Sequence, residues 1–133
     1  MKLRWGVVLL LAAGCANWHR LRPLTANNIE VGQITVYVMD AKYADSGGRV
    51  MMNVMLDNRT NQPQQFDTHW IELRGSSGAQ FQTETIHPPV VGSVPPLTRM
   101  QVSYMFRHIP AGELSQATLM VAGTATMQFS GFD

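Results

Sequence analysis

The chain has 133 residues, with 10 Lys and Arg against 9 Asp and Glu and a formal net charge of +1. That near-neutral balance excludes the broad basic surface of a general nucleic-acid binder, and 45% hydrophobic residues with 14% charged exclude a disordered chain. The presence of 1 Cys excludes an intramolecular disulfide.

Met1, Lys2, Leu3 and Arg4 form a short basic start, Val7 to Leu11 an apolar run, and Ala12, Ala13 and Gly14 a small-residue box ahead of Cys15. The apolar run is far shorter than the roughly 20 residues that cross a bilayer. Basic residues before it and small residues after it are the flanks of a secretory signal. The box Leu11-Ala12-Ala13-Gly14-Cys15 resembles the cleavage box of bacterial lipoprotein signal peptides, with Ala12 three positions ahead of the thiol and Leu11 one step earlier. The resemblance implies that 1–14 is a signal peptide and that Cys15 becomes the lipid-modified amino terminus. Because Ala16 rather than Asp follows Cys15, it also implies the outer membrane as destination, with the domain on the periplasmic face. A lone thiol is a liability in an oxidising compartment, and acylation removes it. Several acyl chains anchor firmly where one binds only marginally. Two plainer readings of Cys15 stand beside this one: a buried structural thiol, or a plain signal peptide cut near Ala13.

Residues 15–28 read as a lipidated tether. Trp18, His19, Arg20, Arg22 and Pro23 lie close to the anchor. They suit a headgroup region, where indole and guanidinium are at home, and they equally suit an irregular linker. With Lys2 and Arg4 removed, the chain from Cys15 onward is close to neutral, and residues 29–133 make one domain of ordinary size.

From Ile29 onward the apolar pattern has period two, the signature of half-buried strands. Ile34, Val36 and Val38 share a face, as do Val50, Met52, Val54 and Leu56. Met100, Val102, Tyr104 and Phe106 form a third set, and Ala117, Leu119 and Val121 a fourth. Further strands are expected over 66–73, 80–86 and 124–129. Asp45-Ser46-Gly47-Gly48, Asn58 to Pro63 and Gly75-Ser76-Ser77-Gly78 carry turn chemistry, the last as a hairpin. Asn58-Arg59-Thr60 also matches a glycosylation acceptor, although the turn reading accounts for it. Pro88, Pro89, Pro95 and Pro96 bar 87–96 from a central strand, and that segment is expected to be a long crossover. About seven short strands with one crossover predict an all-β, antiparallel immunoglobulin-like sandwich.

Met55 to Thr60, Leu73 through Gly78, Tyr104-Met105-Phe106 and Ile109-Pro110 also follow one another in an order that resembles small immunoglobulin-like domains of bacterial lipoproteins. These belong to the extracellular family of unknown function related to telokin-like domains. The resemblance covers about 34–127. It implies a sandwich and carries no catalytic residues, and fold alone does not imply function.

The chemistry-bearing residues are dispersed. The 9 Met and 4 His raise copper(I) binding as an alternative, since thioether and imidazole suit that ion. Met51 and Met55 share one strand face, and His69 and His108 are the imidazoles considered with them. No His-x-Met cluster appears, the Met-x-x-Met spacing of Met52 and Met55 splits across the two faces of the expected strand, and Met equally fills cores and adaptable interfaces. Asp67 lies two residues from His69 and is expected to share its strand face, the minimum for an acid–base pair. No Gly-x-Ser-x-Gly elbow is present, and nothing after Gly75-Ser76-Ser77-Gly78 supports a phosphate loop. Trp70 is expected to be the central core aromatic. Phe129 and Phe132 either pack on the domain or dock into a neighbour. The expectation is a noncatalytic accessory or scaffold subunit that binds another envelope protein through Met51, Met55, Phe129 or Phe132 or through strand edges. No cofactor beyond the lipid on Cys15, no nucleic acid and no small-molecule ligand are expected.

Overall fold

The computed structural model describes residues 18–24, 27–89 and 92–132. Cys15 and the 1–14 segment lie outside the described residues. The described chain is all-β: β1 (Trp18–Pro23), β2 (Asn28–Val31), β3 (Ile34–Ala44), β4 (Arg49–Asn58), β5 (Gln64–Gln65), β6 (Ile71–Arg74), β7 (Gln80–Phe81), β8 (Thr83–His87), β9 (Ser93–Val94), β10 (Thr98–Phe106), β11 (Thr118–Val121) and β12 (Thr124–Phe132). Three single 3-10 turns interrupt them, at Ser46–Gly48, Thr68–Trp70 and Ala111–Leu114. No helix among the described residues is long and apolar enough to cross a membrane.

All neighbours are antiparallel, in the order β7-β6-β11-β12-β1-β3-β4-β10-β8, with β2 added beside β3 and a separate two-stranded ladder of β5 and β9. The first and last strands of that order, β7 and β8, are joined by Gln82 alone, so the sheet is nearly closed. The chain therefore has more strands than the expected seven, and one folded-over sheet where two separate layers were expected. Two corners carry the chain from one half of the sheet to the other, as closure requires. One corner is the β7–β8 junction, where the strand expected over 80–86 divides at Gln82. The other is β1, whose Trp18 to Arg20 pair with β3 while Leu21 and Pro23 pair with β12.

Alternation sets the core. Ile34, Val36 and Val38 of β3, Val50, Met52, Val54 and Leu56 of β4, and Val102, Tyr104 and Phe106 of β10 point inward. They meet Ile71, Leu73, Leu119, Val121, Met127 and Phe129 from the other half in one hydrophobic cluster. β3 runs further than the periodicity suggests because a bulge resets it: Val38 opposes Val54, Asp40 opposes Asn53, and Met39 is the extra residue. An extra residue shifts side-chain parity by one. Even-numbered residues face in before Met39, and Ala41 and Tyr43 face in after it.

Several expectations are corrected. Residues 18–23, read as part of a tether, are a sheet strand, because Leu21 alternates inward and is 3% exposed. The segment expected as a strand over 66–73 begins as the Thr68–Trp70 turn, and the strand proper is Ile71–Arg74. Trp70 is therefore half-buried at the core's margin, its ring 5.3 Å from that of Phe66, and Phe66 is the buried aromatic there. The proline segment connects β8 to β10, which are adjacent, so it is a wide return loop and not a crossover. It carries β9, which pairs with β5. The β6–β7 hairpin forms where Gly75-Ser76-Ser77-Gly78 places it, closed by Gly78 N–H donating to the Gly75 carbonyl at 3.0 Å.

The turn from β3 to β4 packs on the segment after β10. The His108 N–H donates to the Gly47 carbonyl at 3.0 Å and the Ile109 N–H to the Gly48 carbonyl at 2.9 Å. Gly48 has φ +56, and a Cβ there would lie 2.6 Å from the Ile109 carbonyl oxygen. Both the left-handed backbone and the close approach call for glycine.

Candidate functional site

Because β3, β4 and β10 bury one residue in two, their remaining residues cover a broad outer face. Register lines them up in rows. Met105 lies directly opposite Met51, which lies opposite Lys42. Gln101 lies opposite Met55, which lies opposite Tyr37. Between these rows, the Ser103 hydroxyl donates to Asn53 Oδ1 at 2.8 Å. Directly opposed side chains on antiparallel strands sit about 4.5–5.5 Å apart at Cβ. Met51 is 37% exposed and Met39, on the bulge, 56%. Met55 and Met105 are half-buried. Met105, Met39 and Tyr37 were not singled out from sequence. The inward Val102-Tyr104-Phe106 pattern already turns Met105 outward, but which strand it faces depends on register.

Below the Tyr37–Met55 row lies a polar knot. Asp57 is 2% exposed even though it points outward, because Arg59 and Arg99 cover it. Arg59 Nε donates to Asp57 Oδ2 at 2.9 Å, and Arg99 Nε lies 3.5 Å from Asp57 Oδ1. Arg59 also donates to the Tyr37 hydroxyl at 3.2 Å. The hydrogen bond to Asp57 raises the Arg59 pKa and reinforces its charge.

The four residues weighed for copper are not brought together. Met51 and Met55 are four apart on β4, about 13 Å by strand rise. His69 lies in the Thr68–Trp70 turn, and His108 lies after β10 beside Gly47. Among the described residues no group of three or more His, Cys, Asp or Glu is placed to hold a metal ion.

Asp67 and His69 do meet, though in a turn and not on a strand face. Asp67 Oδ1 accepts from the His69 backbone N–H at 2.8 Å and lies 2.9 Å from His69 Nδ1. This is an N-cap. The backbone N–H first, and the ring second, hold the Asp67 carboxyl below its ordinary pKa. His69, Ile71, Glu72, Gln82 and Thr83 line a shallow cleft of about 160 Å³ beside it. Both partners are solvent-facing, and the cap accounts for the carboxylate's position.

The two terminal aromatics part company. Phe129 is 1% exposed in the core, which removes it as a docking residue: β12 alternates Met127 and Phe129 inward. Phe132 is half-buried, its ring 4.9 Å from Tyr43 and 5.5 Å from His19. No protein-family model matches the chain, and no curated protein or solved structure is significantly similar to it.

Proposed function

We propose that the chain is a cell-envelope lipoprotein, anchored through a lipid on Cys15 to the periplasmic face of the outer membrane. It acts as a noncatalytic accessory or scaffold subunit that binds another envelope protein. The signal-like order of residues 1–15 supports the anchor. The nearly closed sheet with a single shared core is read as an elaborated immunoglobulin-like sandwich.

One observation carries the partner: the outer face of β3, β4 and β10 exposes Met39 and Met51 and presents Met55, Met105 and Tyr37 beside them. The core does not need these side chains, since Met52, Val54 and Tyr104 already fill the inward positions. Met and Tyr are enriched at protein interfaces, and the thioether adapts to a facing surface. The sheet's edges are short or meet each other, so a partner would seat on the broad face.

The test is a Met51→Glu/Met105→Lys variant in the membrane-anchored protein, whose new charges face each other and Lys42 with alternating sign. It is expected to keep the wild-type melting temperature, because both residues point outward, and to lose a crosslinked adduct formed from a photoreactive residue at Gln101. An adduct unchanged by the variant would refute the docking face. An intact mass lacking acyl chains on Cys15 would refute the anchor.

A further inference from the structure

We propose that the β1 side of the same outer face, carrying Trp18, Arg20, Arg22, Lys42 and Arg49, lies directly against the anionic headgroups of the anchoring membrane, with the partner seated beyond it on the β10 side of the Met51 row. This rests on the acylation of Cys15 and specifies how the anchored domain is oriented.

The first argument is reach. Trp18 already belongs to the sheet, paired with Ala44. Two residues, Ala16 and Asn17, separate it from Cys15, and three fully extended Cα-to-Cα steps span at most about 11 Å. A tether running to residue 28 would let the domain stand several times further off. The observed strand holds the start of β1 within about 11 Å of the acylated residue.

The second argument is chemistry. Leu21 is the inward residue of β1, so Trp18, Arg20 and Arg22 share the outward face. Arg20 lies opposite Lys42, and the Arg49 guanidinium sits 5.1 Å from the centre of the Trp18 ring. The surface thus holds four cations around an indole. Asp40 lies on the same surface, 3.6 Å from Lys42. Guanidinium groups grip phosphate oxygens in pairs, and indole favours the membrane interface. An acidic protein surface would satisfy the charge but not the short leash to the bilayer.

The experiment uses the acylated protein in vesicles of phosphatidylglycerol and phosphatidylcholine brominated near the headgroup. After loss of 1–14 the remaining indoles are Trp18 and Trp70. Strong quenching is expected, abolished by Trp18→Phe. Quenching that survives this variant, or none in wild type, overturns the proposal. A second arm uses residues 15–133 with Cys15→Ser, which cannot be acylated and lacks the basic, apolar 1–14 segment that would itself bind anionic vesicles. It is expected to co-sediment with phosphatidylglycerol vesicles at low salt and not with pure phosphatidylcholine. The affinity is expected to fall at least about tenfold in Arg20→Glu/Lys42→Glu, with an unchanged circular dichroism melt. Equal binding by the variant overturns the proposal. Intact mass taken before any vesicle is added separates the two claims: an unmodified Cys15 sinks the anchored reading itself, whereas an acylated chain with unquenched Trp18 sinks only the orientation.

Discussion

Asn58 is fully buried, and its amide holds two segments together. Its Nδ2 donates among the carbonyls of Gln62 at 2.9 Å, Val94 at 3.1 Å and Pro95 at 3.0 Å. Its Oδ1 accepts from the Thr60 backbone N–H at 3.0 Å and the Thr60 hydroxyl at 2.7 Å. The sequence marks this residue as a turn former, which is right, but nothing in it announces the contact with the proline segment. With every polar atom engaged inside, Asn58 is not placed to receive a sugar. Asn58→Ala would orphan several buried groups and is expected to cost about 2–3 kcal/mol. The urea midpoint should fall with its slope unchanged. Asp67 gives the acid counterpart. Its folded pKa is lowered, so its contribution is present above the ordinary carboxylate range and is lost as pH falls through the lowered value. Melting temperatures from about pH 5 to about pH 2 should show a shallower acid decline in Asp67→Asn than in wild type.

At the scale of elements, period-two patterning is legible wherever a strand is regular. β4 and β10 have the inward residues that alternation assigns them, and the β6–β7 hairpin sits on its glycines. Interruptions are what the pattern hides. A bulge at Met39 splits β3 into two runs of opposite parity, and the second run looks like loop. The single residue Gln82 divides what reads as one strand, because a corner changes partners without breaking alternation. β1 is short and polar, with Leu21 its one fully inward side chain, so it passes for linker. The outer thioether face was half visible: Met51 and Met55 follow from β4 alone, but joining Met105 to them takes cross-strand register. Removing the bulge tests the parity argument. Deleting Met39 leaves Val38 and Asp40 with the partners they already have, so the protein should still unfold cooperatively, as monitored by circular dichroism. Deleting Asn53, in the middle of β4, turns half a strand inside out, and no cooperative transition is expected.

Across the whole molecule, both halves of the sheet contribute to one core, and long-range bonds close it. The Tyr104 hydroxyl donates to the Thr68 carbonyl at 2.9 Å, and that of Tyr43 to the Ile109 carbonyl at 3.3 Å. Burial pushes the Tyr104 pKa up from its ordinary value, and Tyr43 moves the same way for the same first cause. Each group is harder to ionise folded than unfolded. Stability is therefore fully present below about pH 10 and declines above it. Tyr104→Phe should flatten that alkaline decline in melting temperature while costing some stability at neutral pH. A single core also predicts that Trp70 fluorescence and backbone dichroism report the same thermal midpoint. Gln82 joins the two end strands of the sheet, and these are short, two residues in β7 and five in β8, which gives a second copy little edge on which to template itself. Crowded side by side on a surface, such molecules would resist stacking into fibrils.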